Sequence, residues 1–295
     1  LIEGMVVVDG HVHSFQNRVT AHKVIDAFNK AYTIEFKNPG TSDIEDLLNK
    51  MELSSVDYSV LANFTTPKFL LNNNSWTLEL CKNNKNLIPL VSFHPDLDNM
   101  EALFEKYINN GARGVKLHPM AQGFYPDNKK LYGVYKMCSE LKLPVVFHCG
   151  RVANARRNEF SDISSITPIL KKFKDMPTVL THMVDGNVKD VHMVAESYEN
   201  VYFDTSIVVT GYSEIRKTNK PSWLEDDMAL EVFEKVGAHR ITFGSDYPWG
   251  SMYHDVQRFK NMKIAKDKLR LIFGENALKL YNIKVTEMNK ALVGV

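Results

Sequence analysis

The chain has 295 residues, 44% of them apolar and 24% charged, which excludes a disordered polar chain and allows a full folded core. Lys and Arg number 36 against 35 Asp and Glu. That near balance gives no electrostatic reason to expect nucleic acid or a membrane surface as partner, so a small molecule is the expected ligand.

In chain order, short β-branched apolar runs alternate with helical patterns. Met5 to Asp9 reads as the first strand, followed by Val56–Asn63, Leu87–Phe93, Gly114–Leu117, Leu143–Phe147, Thr178–Leu180, Val201–Thr205 and Arg240–Phe243. Between them, Ser42 with Glu45 and Asp98 with Glu101 read as capping boxes. The first precedes Ile44, Leu47, Leu48 and Met51. The second precedes Met100, Leu103, Phe104, Tyr107 and Ile108, with Gly111 near the stop. Val188, Val191, Val194, Ala195 and Tyr198 form a further stripe. Lys130–Leu141 and Ile163–Phe173 are weaker helical patterns, the latter interrupted by Pro168. Pro221 and Ser222 are read as opening a helix that ends near Gly237, and the segment beyond Lys266 as closing helices.

Eight strand-then-helix units predict an α/β fold, a (β/α)8 TIM barrel, over an open doubly wound sheet. No Pro/Gly-rich linker divides the chain, so residues 1–295 are expected to form one domain. The first crossover, Ser14 to Ser54, is elongated and long enough for a lid or small insertion. Cys81, Cys138 and Cys149 cannot build a disulfide framework, and no apolar run approaches the roughly 20 residues of a membrane span. The apolar start lacks a basic region, so a cytoplasmic location is expected. A homodimer is an allowed assembly.

Six of the ten histidines sit at the ends of these strands: His11 and His13, His94, His118, His148 and His182. Asp246 follows the last strand. A barrel gathers such ends at one mouth, where barrel active sites lie. The His11-Val12-His13 spacing points both rings to one side of an extended chain. With His148, His182 and Asp246 they form a donor set suited to Zn²⁺ first, and also to Mn²⁺, Fe²⁺ or Co²⁺. Cys149, directly after His148, is read as structural. No Gly-rich phosphate fingerprint is present.

The segments VDGHVH (Val8–His13), GVKLHP (Gly114–Pro119), VVFHCG (Val145–Gly150), VLTH (Val179–His182), FGSDYPW (Phe243–Trp249) and FGENALKLY (Phe273–Tyr281) resemble the amidohydrolase-related group of the amidohydrolase superfamily. That group includes the aminocarboxymuconate semialdehyde decarboxylase-like enzymes, and the resemblance covers about residues 5 to 282. It implies one divalent ion held by His11, His13, His148 and Asp246. It implies His182 as the residue acting on substrate or water, and Asp246 as an acceptor of the water's proton. A second ion bridged by a carboxylated Lys116 is the lesser alternative.

Substrate contacts are expected from Arg151, Lys116, His118, Trp249 and Phe124, with Gln122, Asp185 and Tyr247 also near the mouth. Arg151 has a solvated-loop alternative and His94 a packing one. The leading expectation is a hydrolase of an amide, ester or lactone working through metal-activated water. The alternative is a non-oxidative decarboxylase of a small unsaturated or aromatic acid. A noncatalytic binding protein is the third.

Overall fold

A computed structural model describes residues 2, 4–32, 41–151, 157–209 and 224–285. Eight short parallel strands follow in chain order: β1 Val8–Val12, β2 Tyr58–Leu61, β3 Leu87–Pro89, β4 Val115–Leu117, β5 Val145–Phe147, β6 Thr178–Leu180, β7 Val201–Asp204 and β8 Ile241–Thr242. Two seams close the ring. Val91 N donates to Gly114 O (3.1 Å) and Lys116 N to Val91 O (2.8 Å), joining the β3 and β4 sides. Gly10 N donates to Phe243 O (2.8 Å), joining β8 to β1. The fold is the expected (β/α)8 barrel.

All eight expected strands are found, most of them trimmed by a few residues. The first is displaced, because the ladder carries on to Val12, whose carbonyl accepts from Ala62 N at 2.9 Å. Within β1 the register slips: Asp9 pairs with Ser59 and Val12 with Leu61, so β1 spends one extra residue. This bulge reverses which residues face the lumen. Val8 packs with Tyr58, Val60, Ile88, Val146 and Val179 in an inner cluster, whereas Val7 and Val12 join the outer one. Above the bulge the odd positions turn inward, and those are His11 and His13.

Helices cover the outside. The first crossover carries an extra helix, α1 (Arg18–Tyr32), before α2 (Ile44–Ser54). The expected Ser42 cap is displaced by one residue: Asp43 caps α2, accepting from Asp46 N at 3.0 Å. Ser42 is otherwise engaged, its carbonyl accepting from Phe15 N and Ser14 Oγ. At α4 (Met100–Asn109) the cap position is Asn99, in the left-handed region with φ 52°, and no side-chain cap bond forms.

Pro168 does not break the helix Ile163–Lys172. Pro168 and Ser164, whose carbonyl loses its partner, are both exposed. The late helix runs from Asp226 to Val236; Pro221 and Ser222 lie outside the described residues. Two further helices were not anticipated: α3 (Pro67–Asn83), opened by Pro at its first turn, and Met252–Asn261. Among the described residues no helix is long and apolar enough to cross a membrane.

The C-terminal closing segment packs under β1 and β8. A Cβ at Gly274 would run into the Val6 carbonyl. Asn276 Nδ2 donates to Ala238 O (2.7 Å) and Ile241 O (2.6 Å). Phe243, Phe259 and Phe273 are fully buried here, with Phe243 edge-on to both others at 5.6 and 5.5 Å. Removing a ring of this kind costs transfer energy plus a cavity, about 3–5 kcal/mol. Phe243→Ala should lower the urea unfolding free energy by that amount. A loss under about 1 kcal/mol would contradict the packing described.

Candidate metal centre and active site

The residues above β1, β6 and β7 converge on one buried carboxylate, that of Asp204 at the end of β7. Its Oδ2 receives His11 Nδ1 at 2.8 Å. Its Oδ1 receives His182 N (3.0 Å), Ser206 N (3.0 Å) and Ser206 Oγ (2.5 Å). Burial alone would raise its pKa, but the His11 ring and the bonds from His11 and Ser206 outweigh this and hold it well below the carboxylate range. An ionised carboxylate only accepts, so His11 Nδ1 carries a proton toward Asp204, which leaves Nε2 as the ring nitrogen able to meet a cation.

The same logic fixes His182. Its Nδ1 is 3.3 Å from Ser206 O, a carbonyl that only accepts, and 2.9 Å from Ser206 Oγ, whose own proton goes to Asp204. Nδ1 therefore carries the proton and Nε2 is free. His182 opens an unusual backbone turn: His182, Met183, Val184 and Asp185 all have positive φ, between 43° and 56°. Left-handed residues cost about 1–2 kcal/mol each, most for β-branched Val. The turn is closed by Gly186 N on His182 O (3.0 Å) and tied down by the His182 N bond to Asp204.

Asp246 is also left-handed, with φ 59°, and its N donates to His11 O at 2.8 Å. Its Oδ1 lies 3.4 Å from His11 Nε2 and 3.2 Å from His13 Nε2. His11, His13 and Asp246 thus offer three ligand atoms within 4.8 Å of one another, all buried. Two imidazoles and a carboxylate fit a divalent cation, and they form a metal-binding site. A second grouping, His11, His182 and Asp204, is equally tight. Its Asp204 oxygens, however, are already occupied by the hydrogen bonds above.

His148 stands next to this set. Its ring is 5.0 Å from His182 and stacks on His118 at 3.7 Å, and its Nε2 is buried without a partner. A buried lone ring nitrogen is what a ligand position would show, although the tight group of three does not include it.

Lys116 sits in the inner layer, in register with Val146, and its Nζ is 3.2 Å from His11 Nε2. Burial lowers it to about 8, against the pull of Asp204 and Asp246. Burial likewise lowers His13 to about 4 and drives His118 and His148 well down, with His182 also lowered. Asp9, buried below His11, is raised to about 7 in spite of bonds from Ser245 N, Ser245 Oγ and His11 N.

The remaining expected contacts divide. Trp249 is 5.2 Å from the His13 ring and packs on Phe28 of α1 at 4.4 Å. His118 lies against Phe64 at 4.3 Å. Phe124 meets His94 edge-on rather than the His11–His13 set. His94 uses both nitrogens locally, on Gln122 O and Asp96 N. Arg151 forks onto Asp162 at 2.9 and 2.7 Å with its side chain 63% exposed. Tyr247 donates to Asp46, fastening the strand 8 loop to α2. Sequence reasoning passed over Asp204, Ser206, Asp9 and Ser245. An acid ending a strand, in VYFDTS, was the available signal for Asp204.

Residues 8–283 match the amidohydrolase family, and the chain belongs to it. An uncharacterized TIM-barrel protein from Bordetella bronchiseptica has TM-score 0.74 at 18% identity, over 99% of this chain and 100% of its own. The 5-carboxyvanillate decarboxylase of Sphingomonas paucimobilis has TM-score 0.68 at 14% identity, over 95% and 100%. A dihydroxybenzoic acid decarboxylase from Polaromonas, with bound manganese and the inhibitor 2-nitroresorcinol, has TM-score 0.69 at 13% identity, over 96% and 98%. At these identities the likeness is one of fold. No curated protein matches the chain. The expectation of a hydrolase working through metal-activated water is corrected: the activities named among these neighbours are decarboxylations.

Four histidines held neutral by burial link stability to pH. Between the ordinary histidine pKa of 6.5 and their lowered folded values, the unfolded chain binds more protons, so stability falls as pH falls. Each contributes on the order of 1 kcal/mol per pH unit in that window. Asp9, raised from 3.8 to about 7, acts in the opposite sense between those values, but it is one group against four. Chelator-treated protein should therefore melt lower at pH 5 than at pH 7. An unchanged or higher Tm at pH 5 would contradict the buried neutral cluster.

Proposed function

We propose that this chain is a metal-dependent non-oxidative decarboxylase of a small unsaturated or aromatic carboxylic acid. The observation that carries the reading is the shared Asp204 carboxylate. It leaves one free Nε2 on His11, beside His13 and Asp246, and a second on His182, whose ring centroid is 5.3 Å from that of His11. One free nitrogen suits a cation and the other a proton.

His11, His13 and Asp246 would hold the ion, with His148 completing the set. A bound Zn²⁺ or Mn²⁺ supplies Lewis-acid charge that fixes the substrate's oxygens and draws electron density from the reacting carbon. The imidazole-rich donors suit zinc, and the manganese in the Polaromonas relative supports manganese. Lys116, whose Nζ lies 3.2 Å from His11 Nε2 and would give up that nitrogen to the cation, is assigned to the substrate carboxylate rather than to a bridge between two ions.

Asp246 is assigned to ligation. Its Oδ1 lies 3.4 Å from His11 Nε2 and 3.2 Å from His13 Nε2, so a shared cation would take up the oxygen that a base for water would use. Decarboxylation needs no such base. The bond from carbon to CO₂ breaks, its electron pair stays on the conjugated carbon, and one proton must arrive there. His182 is neutral at rest. It takes up a proton at Nε2 from a substrate hydroxyl or from solvent and delivers it to that carbon. Ser206 and Asp204 steady the transient positive ring through Nδ1. Trp249 and Phe64, against His13, keep water from the carbanionic carbon.

Protein loaded with Mn²⁺ or Zn²⁺ should release CO₂ from some member of a panel of aromatic and unsaturated acids. His182→Asn should keep its metal and lose turnover by about 10²–10⁴-fold. Absence of CO₂ release across the panel, or full turnover in His182→Asn, would overturn the reading.

A further inference from the structure

A chamber of about 220 Å³ opens beside His13, between α1, the start of α3 and Trp249. Because His13 belongs to the metal-binding set, the chamber and the metal site share a wall. Its volume is below the roughly 300 Å³ at which pockets for drug-sized ligands begin. Among the described lining residues there is no Asp, Glu, Lys or Arg. Phe15, Phe64 and Trp249 give it apolar walls. A charged group would be desolvated there without a counter-ion.

Two donors in the lining are unpaired. Asn73 Nδ2 and Trp249 Nε1 are buried and have no hydrogen-bond partner among the described residues, and Trp249 is only 5% exposed. Two other polar side chains of the wall are satisfied: Asn63 Oδ1 accepts from Ser14 N and its Nδ2 donates to Thr77 Oγ1, while Ser14 Oγ donates to Ser42 O. Native structures leave few buried donors orphaned, and two on one small chamber call for an acceptor.

We propose that this chamber takes the uncharged body of the substrate, one aromatic ring or an unsaturated chain of that size, and that Asn73 and Trp249 read a neutral oxygen on it. The carboxylate then lies at the metal and Lys116, where positive charge is found. The orientation rests on the decarboxylase reading above; the size and the oxygen contact rest on the chamber itself.

The test is equilibrium binding of unreactive probes to the zinc-loaded full chain, followed by tryptophan fluorescence and calorimetry. The better of 3- and 4-methoxybenzoate should bind about five-fold tighter than benzoate, the worth of one neutral hydrogen bond. 2-Naphthoate should bind at least ten-fold weaker than benzoate. Asn73→Leu should abolish the methoxy advantage and leave benzoate unchanged. Asn73→Ala, which removes the donor without adding charge, repeats the test if the first variant fails to fold. Trp249→Phe should remove the fluorescence change, although Trp76 and Trp223 remain.

Equal binding of naphthoate, a methoxy preference that survives in both Asn73 variants, or a fluorescence change that survives Trp249→Phe would overturn the proposal. The expected binding pattern without CO₂ release from any acid would retire the decarboxylase reading and uphold the chamber. CO₂ release with the contrary binding pattern would do the reverse.

Discussion

One carboxylate organises the mouth of this barrel. Asp204 accepts four hydrogen bonds from three places in the chain: the ring of His11, the backbone of His182, and the backbone and hydroxyl of Ser206. Each bond to an ionised group in a dry site is stronger than a neutral one. Together they set the ring proton of His11 and, through Ser206, that of His182. Without Asp204 either ring could carry its proton on the other nitrogen, and neither the cation nor the substrate would meet a defined lone pair. Two histidines of like chemistry are thereby held by one carboxylate in different orientations.

The backbone is bent to serve that arrangement. A bulge in β1 turns His11 and His13 into the lumen after Val8 has already faced it. Four left-handed residues after β6 and another at Asp246 after β8 place the remaining groups. Such conformations persist only where surrounding bonds over-determine them, and here those bonds exist. His182 N is held by Asp204, Asp246 N by His11 O, and Ser245 by Asp9. These left-handed residues gather around this mouth, while the strands below hold none and carry the buried polar Asp9, Ser59, Lys116, Thr178 and Thr242 among apolar side chains. That lysine brings positive charge to the floor of a site otherwise built from neutral rings and carboxylates.

The barrel was legible in the sequence because each strand is a compact apolar run, and a buried parallel strand needs little else. The histidines at strand ends were legible because barrel topology converts remote sequence positions into neighbours. The bulge was not, since one extra residue in VVVDGHVH leaves no mark in composition. Ser42 resembled a cap until its carbonyl was seen to be used by Ser14 and Phe15. Asp204 escaped notice because one acid in VYFDTS looks ordinary until three other segments converge on it. Hydrolysis and decarboxylation draw on the same ligands. Sequence spacing could not separate them.

The central claim is that Asp204 fixes both His11 and His182 with the proton on Nδ1. Nitrogen NMR of the ¹⁵N-histidine-labelled, chelator-treated protein reads this directly from the shifts of the two ring nitrogens. The account predicts a protonated Nδ1 and an unprotonated Nε2 in both rings. A protonated Nε2 with a bare Nδ1 in either one would contradict it.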